Sequence, residues 1–473
     1  MGTFPAHPLL EIFSFYMRRA RIDGWYTLVH VCQRWRYVVL GSPRRLNLHL
    51  LCTTTDRTQV RTLDIWPPLP LVIGWFSYPG PSSKHNVSDI IAALGHKDRI
   101  VVISLLDVPP GIWQELVCSM QESLPALTNL QLSSENSWMP YSSRVMDPLP
   151  TSFLGGSAPL LQYLDLNRVP YPALPKLISS ARDLVKLQVS NLTNKGYISS
   201  EDMAACLSLL TKLTLFVLEF ESDWYPPVRQ VTHRSSRQEW VVLHSLAAFH
   251  YKGPTKYLED LVARIDAPRL SEVEVTFVRA IAAADISEFS QFIGQADNFP
   301  LLNQADIFIS DTADPNVTLC LSIDGGFSVT YELTIPCTDW SLLPSTLARV
   351  CVHSTRGSLS SFLPLSALEN LAVRGFRATW PRWKNCWLEF LHAFTAVKNL
   401  HLSEDVKPHL LPLLKDVPGE RIMEVLPALQ NLFLNEYEPP PKHVQKALQE
   451  FTTVRRLADR PVAVSKWNRR QWP

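Results

Sequence analysis

The apolar positions of this chain follow two different rhythms. In the first fifty residues they run at helical spacing: Leu9, Ile12, Phe13 and Tyr16, then Leu28, Val31, Cys32, Trp35, Val38 and Val39. Spacing of i, i+3, i+4, i+7 places each set on one face of a short helix. A unit of roughly 40 residues is too small to sustain a core without help. The pattern therefore predicts half of an interface, completed either by the rest of the chain or by another protein.

From residue 100 onward a phrase of the form Leu-x-x-Leu-x-Leu recurs. Clear copies are Leu127-Leu130-Leu132, Leu161-Leu164-Leu166, Leu184-Leu187-Val189 and Leu429-Leu432-Leu434. Weaker ones start at Ile100, Leu213, Leu246, Leu270, Leu302, Leu347, Leu368 and Val397, with starts 21 to 45 residues apart. The last two apolar residues of each phrase alternate, so they share one face of a strand. Helix-like stretches such as Ile112-Trp113-Leu116-Val117-Met120 and Met203-Leu207-Leu210 lie between phrases. Strand followed by helix predicts α/β units with parallel inner strands and outer helices. Neither element buries its apolar edge alone, so such units stack into a curved solenoid of the leucine-rich-repeat type. The uneven spacing and the missing asparagines of a regular repeat make this a divergent array.

Two places break the rhythm. Residues 219 to 240 contain Asp223-Trp224-Tyr225-Pro226-Pro227 and read as an exposed loop. Val317-Leu319-Leu321-Ile323, Gly325-Gly326 and Phe327-Val329-Tyr331-Leu333-Ile335 read as a hairpin. That hairpin, an insertion at about 315–336, either projects from the array or adds two strands to its sheet. The expected organisation is a helical domain at 1–50, a connecting segment at 51–95, the repeat array at 96–438, and a helix with a basic tail at 439–473.

Composition narrows the classes. An apolar content of 46% with 19% charged residues describes an ordered globular chain, and a net charge of +1 offers no overall field for nucleic acid. The eight cysteines show no zinc-type spacing, and no uncharged apolar run approaches the ~20 residues that span a bilayer. These features predict an intracellular protein, cytoplasmic or nuclear, with free thiols. Phosphate-binding glycine loops, nucleophile elbows and His-Glu-x-x-His are lacking. No catalytic residue, cofactor or metal is expected.

The first fifty residues also carry a resemblance. Phe4-Pro5-Ala6-His7-Pro8-Leu9-Leu10-Glu11-Ile12-Phe13 and Val31-Cys32-Gln33-Arg34-Trp35-Arg36 resemble the F-box, usually Leu-Pro-x-Glu-Ile-Leu-x-x-Ile-Phe followed by Val-Cys-[Lys/Arg]-x-Trp. The continuation through Arg44-Arg45-Leu46-Asn47-Leu48 and Leu63-Asp64-Ile65-Trp66-Pro67 is similar to a large family of fungal F-box proteins. Phe4, His7 and Pro8 depart from the usual residues, and Pro8 fits only a first helical turn. The resemblance implies a substrate-recognition subunit of an SCF-type cullin–RING ubiquitin ligase. Phe4, Pro5, Leu9, Ile12, Phe13, Val31, Cys32 and Trp35 would bind the Skp-type adaptor and, through it, the cullin. The repeats would hold an unknown protein substrate, with Trp224, Tyr225 and the hairpin as candidate contacts.

Bland readings stand beside these. Cys32 in an apolar helical stripe behaves as a small hydrophobe rather than a nucleophile. The arginines at 18, 19, 21, 34, 36, 44 and 45 suit either an acidic partner or a solvated face. A repeat scaffold with a degenerate F-box is the alternative function. An enzyme would need an apolar pocket with convergent titratable groups.

Overall fold

Each repeat phrase that falls on described residues becomes a strand, and within each run of parallel neighbours its apolar residues line up with those of the adjoining strand. The computed structural model describes residues 6–19, 24–53, 68–75, 87–134, 147–221, 240–278, 287–296, 303–310, 316–322, 331–336, 368–375, 388, 391–392, 394–415, 424–435 and 442–467. The chain divides into two units, Met1–Leu213 and Thr214–Pro473.

The first unit opens with three helices, α1 (Ala6–Arg19), α2 (Trp25–Val31) and α3 (Gln33–Leu40). A parallel sheet follows: β1 (Leu50–Thr53), β2 (Leu71–Trp75), β3 (Ile100–Val108), β4 (Asn129–Ser134), β5 (Tyr163–Asn167) and β6 (Lys186–Leu192). Ile73, Ile103, Leu130, Leu164 and Leu187 stand in register, as do Trp75, Leu105, Leu132, Leu166 and Val189. All ten are buried. Helices α4 (Val87–Leu94), α5 (Pro110–Ser119), α6 (Leu174–Ser180) and α7 (Ser200–Leu207) bury Ile90, Leu116, Leu177 and Met203. Proline begins α5 at its first turn, and Ser199 caps α7 by accepting the Asp202 N–H at 3.0 Å.

The sheet begins earlier than the repeated phrase. The segment at 51–95, read as a connection, carries β2 and α4 and most of β1. Ile73 and Trp75 stand in register with the last two apolar residues of the next phrase, but Pro70 occupies the place of the leading leucine.

In the second unit β7 (Leu215–Phe220), β9 (Ala248–Gly253) and β11 (Glu272–Phe277) pair in parallel. A two-residue strand, β8 (Val241–Val242), pairs with β10 (Ile265–Asp266) in a separate ladder. The chain then continues with β12 (Gln304–Ser310), β13 (Asn316–Ser322), β14 (Tyr331–Pro336), β15 (Asn370–Gly375), β16 (Asn399–Leu402), β17 (Asn431–Asn435) and β18 (Ala463–Trp467). The hairpin β13–β14 joins the sheet instead of projecting: β14 lies parallel to β11, while β13 pairs antiparallel with β12 and β14. Thr318 and Thr334 bridge hydroxyls across it at 2.9 Å. Strand β12 keeps the repeat register, with Ala305, Leu371, Leu400 and Leu432 aligned and Ile307, Val373, Leu402 and Leu434 beside them. Among the described residues this unit also has helices α8 (Thr255–Val262), α9 (Ser287–Gly294), α10 (Lys407–Lys415) and α11 (Lys442–Leu457). Strand β18 falls in what reads as a basic tail.

The copy at Leu347, the loop residues Trp224 and Tyr225, and the Gly325-Gly326 turn lie outside the described residues. Asparagines do recur, at a different place from the one expected. Asn399 donates to Asn370 at 2.7 Å and Asn431 donates to Asn399 at 2.8 Å, forming a ladder one residue ahead of the core leucines. Leu164→Ala should destabilise the first unit by about 2–5 kcal/mol, because a packed interior relaxes only partly around a lost leucine. Chemical denaturation of the two proteins measures that loss.

Candidate interaction surfaces

Helix α1 has two apolar stripes, not one. Leu9, Leu10 and Phe13 face inward. Ile12, Phe15 and Tyr16, themselves spaced i, i+3, i+4, form a second stripe around the helix and face out, with Ile12 55% and Phe15 59% exposed. Inward, the Phe13 ring meets the Trp35 ring edge-on with centroids 4.7 Å apart, which ties α1 to α3. Trp25 is fully buried and donates its indole N–H to the His49 carbonyl at 2.8 Å. Arg36 donates to the Val29 carbonyl at 3.0 Å, and Arg45 pairs with Glu11. Pro8 sits in the first turn of α1.

The second stripe expected from the sequence is not one helix. Cys32 has φ −161° and ψ 165°, so the chain breaks there into α2 and α3. Its sulfur accepts the Trp35 N–H at 3.4 Å and caps α3. The break turns Val31 and Cys32 into solvent, so Cys32 is a capping residue and not a small core hydrophobe. Of the eight residues named for adaptor binding, Leu9, Phe13 and half-buried Trp35 form the interior, and Ile12, Val31 and Cys32 are exposed. Phe4 and Pro5 lie outside the described residues. Phe15 and Tyr37, the latter 83% exposed, were not singled out from sequence, because neither belongs to the buried periodicity. Arg18, Arg19, Arg34 and Arg36 are exposed among these side chains, and the Arg19 guanidinium lies over the Phe15 ring at 4.9 Å.

The sheet face opposite the core row carries polar ladders. In the first unit Ser104 donates to Gln131 at 3.0 Å and Gln131 donates to the Tyr163 hydroxyl at 3.2 Å. That hydroxyl donates to Gln188 at 2.6 Å, and burial pushes its pKa up. Asn191 donates to Asn167 at 2.9 Å.

The second unit bears an ionisable row. His250, Glu274, Glu332, Cys320 and Asp306 occupy one register position on five adjacent strands. The His250 ring nitrogens lie 3.1 Å from Glu272 and 3.7 Å from Glu274. Burial, then the Glu274 charge, raises the Glu332 carboxyl above its usual range, and His250 opposes the rise. Burial, then Glu332, pushes the Cys320 thiol up to about 12, and burial alone explains most of the rise of Cys52 and Cys206 to about 11. These thiols stay protonated and are poor nucleophiles. Arg374 donates to Asp306 at 2.8 Å. Further along, His401 stacks flat on Phe433 at 4.4 Å and meets Trp467 edge-on at 5.3 Å.

Among the described residues, no three His, Cys, Asp or Glu side chains are placed to hold a metal ion, and no helix is long and apolar enough to cross a membrane. A hollow of about 540 Å³ in the first unit is lined by polar groups including Lys97, Arg99 and Ser123.

No protein-family model matches the chain, and no curated protein matches it. Among solved structures it is similar to the leucine-rich repeat-containing protein LegL7 from Legionella pneumophila, at 11% identity over 71% of this chain and 94% of that one, with a TM-score of 0.26. The repeat assignment rests on the strand register of the two units, not on that likeness.

Burial lowers the His401 pKa from 6.5 to about 4. Between those values the unfolded chain takes up a proton that the folded protein refuses, so this residue's contribution to stability is lost as pH falls. His401→Phe keeps the stack and cannot titrate. Its melting temperature relative to wild type should therefore rise between about pH 7 and pH 5, as differential scanning fluorimetry would measure.

Proposed function

We propose that the protein is a non-enzymatic substrate-recognition subunit of an SCF-type ubiquitin ligase. Its N-terminal helices dock a Skp-type adaptor and, through it, the cullin. Its repeat units hold a protein substrate. The observation that carries this reading is the outward stripe of α1. Ile12, Phe15 and Tyr16 are exposed although the helix already buries a separate face. Contiguous exposed apolar side chains rimmed by charge mark docking surfaces, and the arginines beside them suit an acidic partner. The F-box resemblance of Phe4 through Arg36 names the partner class. The polar and ionisable ladders suit recognition of another polypeptide, since their side chains are held in place by neighbours before any partner arrives. Ubiquitin transfer would then follow from tethering the substrate near a charged conjugating enzyme.

Buried and exposed positions separate docking from folding. Phe13→Asp would place a carboxylate in the interior and report only on folding. Ile12→Asp/Phe15→Asp changes exposed side chains and should alter stability by no more than about 1 kcal/mol. Wild type should co-purify with the Skp-type adaptor, and the double variant should bind at least about tenfold more weakly. Absence of binding by the wild-type chain would leave α1 to α3 as an end cap on the repeats. The protein would then be a scaffold with a degenerate F-box.

A further inference from the structure

The polar face of the second unit is acidic where it begins. Glu219 and Lys252 stand in register on β7 and β9, His250 and Glu274 on β9 and β11, and Glu274 and Glu332 on β11 and β14. Glu272 lies two residues before Glu274, and alternation puts all six side chains on the face away from the core row. Among the described side chains of these four strands, four carboxylates on that face meet one lysine. The matching row of the first unit, Ser104, Gln131, Asp165 and Gln188, has a single carboxylate. The acidic side chains are accessible, since those of Glu272 and Glu274 are each 48% exposed.

Two acceptors on this face lack donors. The His250 ring serves Glu272 and Glu274, whereas half-buried Glu332 makes no hydrogen bond or ion pair with any described residue and has the Glu274 charge beside it. Gln304 lies at the far end of the row, two residues before Asp306 and therefore on the same face. It is only 2% exposed, and its Oε1 has no hydrogen-bond partner. Asn370, in register with it, gives its own amide oxygen to Asn399, and Asp306 is paired with Arg374. Buried acceptors without a donor are rare in native proteins and call for a reason.

We infer that the row from β9 to β12 binds an extended, arginine-bearing segment of the protein substrate, with a guanidinium between Glu274 and Glu332 and a main-chain N–H supplying the donor that Gln304 lacks. The inference rests on the reading that the repeat units hold a polypeptide. Neighbouring strands lie about 4.8 Å apart, so the five strands of the row span about 19 Å, the reach of about six extended residues. A guanidinium presents N–H groups on more than one edge and can bond two carboxylates at once, which a point-like ammonium does less well. The charge of the face repels nucleic acid and anionic bilayers. A polypeptide brings both the cation and the N–H donor, and the strands hold the acceptors in place before it arrives.

The test uses the full chain and a fluorescent peptide, Gly-Ser-Arg-Ser-Arg-Ser-Gly, with Gly-Ser-Glu-Ser-Glu-Ser-Gly as its counterpart. Fluorescence anisotropy should show the arginine peptide bound at least about tenfold more tightly. Glu274→Gln/Glu332→Gln keeps the side-chain shapes and should weaken that binding at least about tenfold. Its melting temperature should not fall, because the change relieves two like charges. Glu332→Gln alone, which alters one carboxylate, covers the case of a misfolded double variant. Gln304→Met removes the acceptor and should weaken binding about three- to tenfold with no loss of melting temperature. Equal binding of the two peptides, or equal binding by wild type and variants, would overturn the inference. So would variants that melt lower and bind unchanged, which would make these side chains structural. Self-association that the double variant abolishes would assign the face to a second copy instead. Adaptor co-purification on the same preparation separates the two readings. Adaptor binding without a peptide preference overturns this inference alone, and a peptide preference without adaptor binding supports it in a scaffold that is no ligase subunit.

Discussion

Everything in each unit depends on the in-register stacking of two apolar residues per strand. A single strand with a leucine at alternate positions has one wet backbone edge and one exposed row. Pairing in parallel satisfies the backbone, and equal register brings each row beside an identical one. Leu130 beside Leu164 and Leu187 in the first unit, and Leu371 beside Leu400 and Leu432 in the second, are instances of one constraint. A slip by one residue would send every leucine to the polar face. The polar ladders reinforce the same register, because Asn370, Asn399 and Asn431 bond only when their strands align.

That constraint also explains what the hairpin does. Strand β12 holds its phrase in register with β15, which leaves the space beside β11 to be filled. Strands β13 and β14 fill it and restore parallel pairing with β11. The insertion sets acidic side chains on neighbouring strands: Glu274, Glu332 and Asp306 share one row through it. Burial first, and the neighbouring Glu274 charge second, raise the pKa of Glu332. The opposite case is His401, which is held neutral by burial between aromatic rings.

The N-terminal helices show how one sequence signal can hide another. Periodicity finds the face that is buried, and it found Leu9 and Phe13 on α1. An outward apolar stripe such as Ile12, Phe15 and Tyr16 has the same spacing rotated around the helix, so a window reports both as one amphipathic pattern. Burial alone separates them. It assigns Phe13 to folding and Ile12 to the surface, although the two are adjacent in sequence. The break at Cys32 was equally concealed, since the apolar spacing runs unbroken from Leu28 to Val39 while the backbone turns extended at one residue.

The repeated phrase by itself determined the strands, their parallel pairing and which leucines are interior, because alternation at two residues and recurrence at a repeat period are local properties. Strands β1, β2 and β18 escaped that reading. None has the leading leucine of the phrase, and β18 carries Lys466 in register with Leu434, so only their neighbours identify them as members of the sheet. The placement of the hairpin within the sheet and the asparagine ladder belong to tertiary structure alone. Each depends on which strand comes to lie beside which. No window along the chain contains that information, because the partners are distant in sequence and meet only once the register is set.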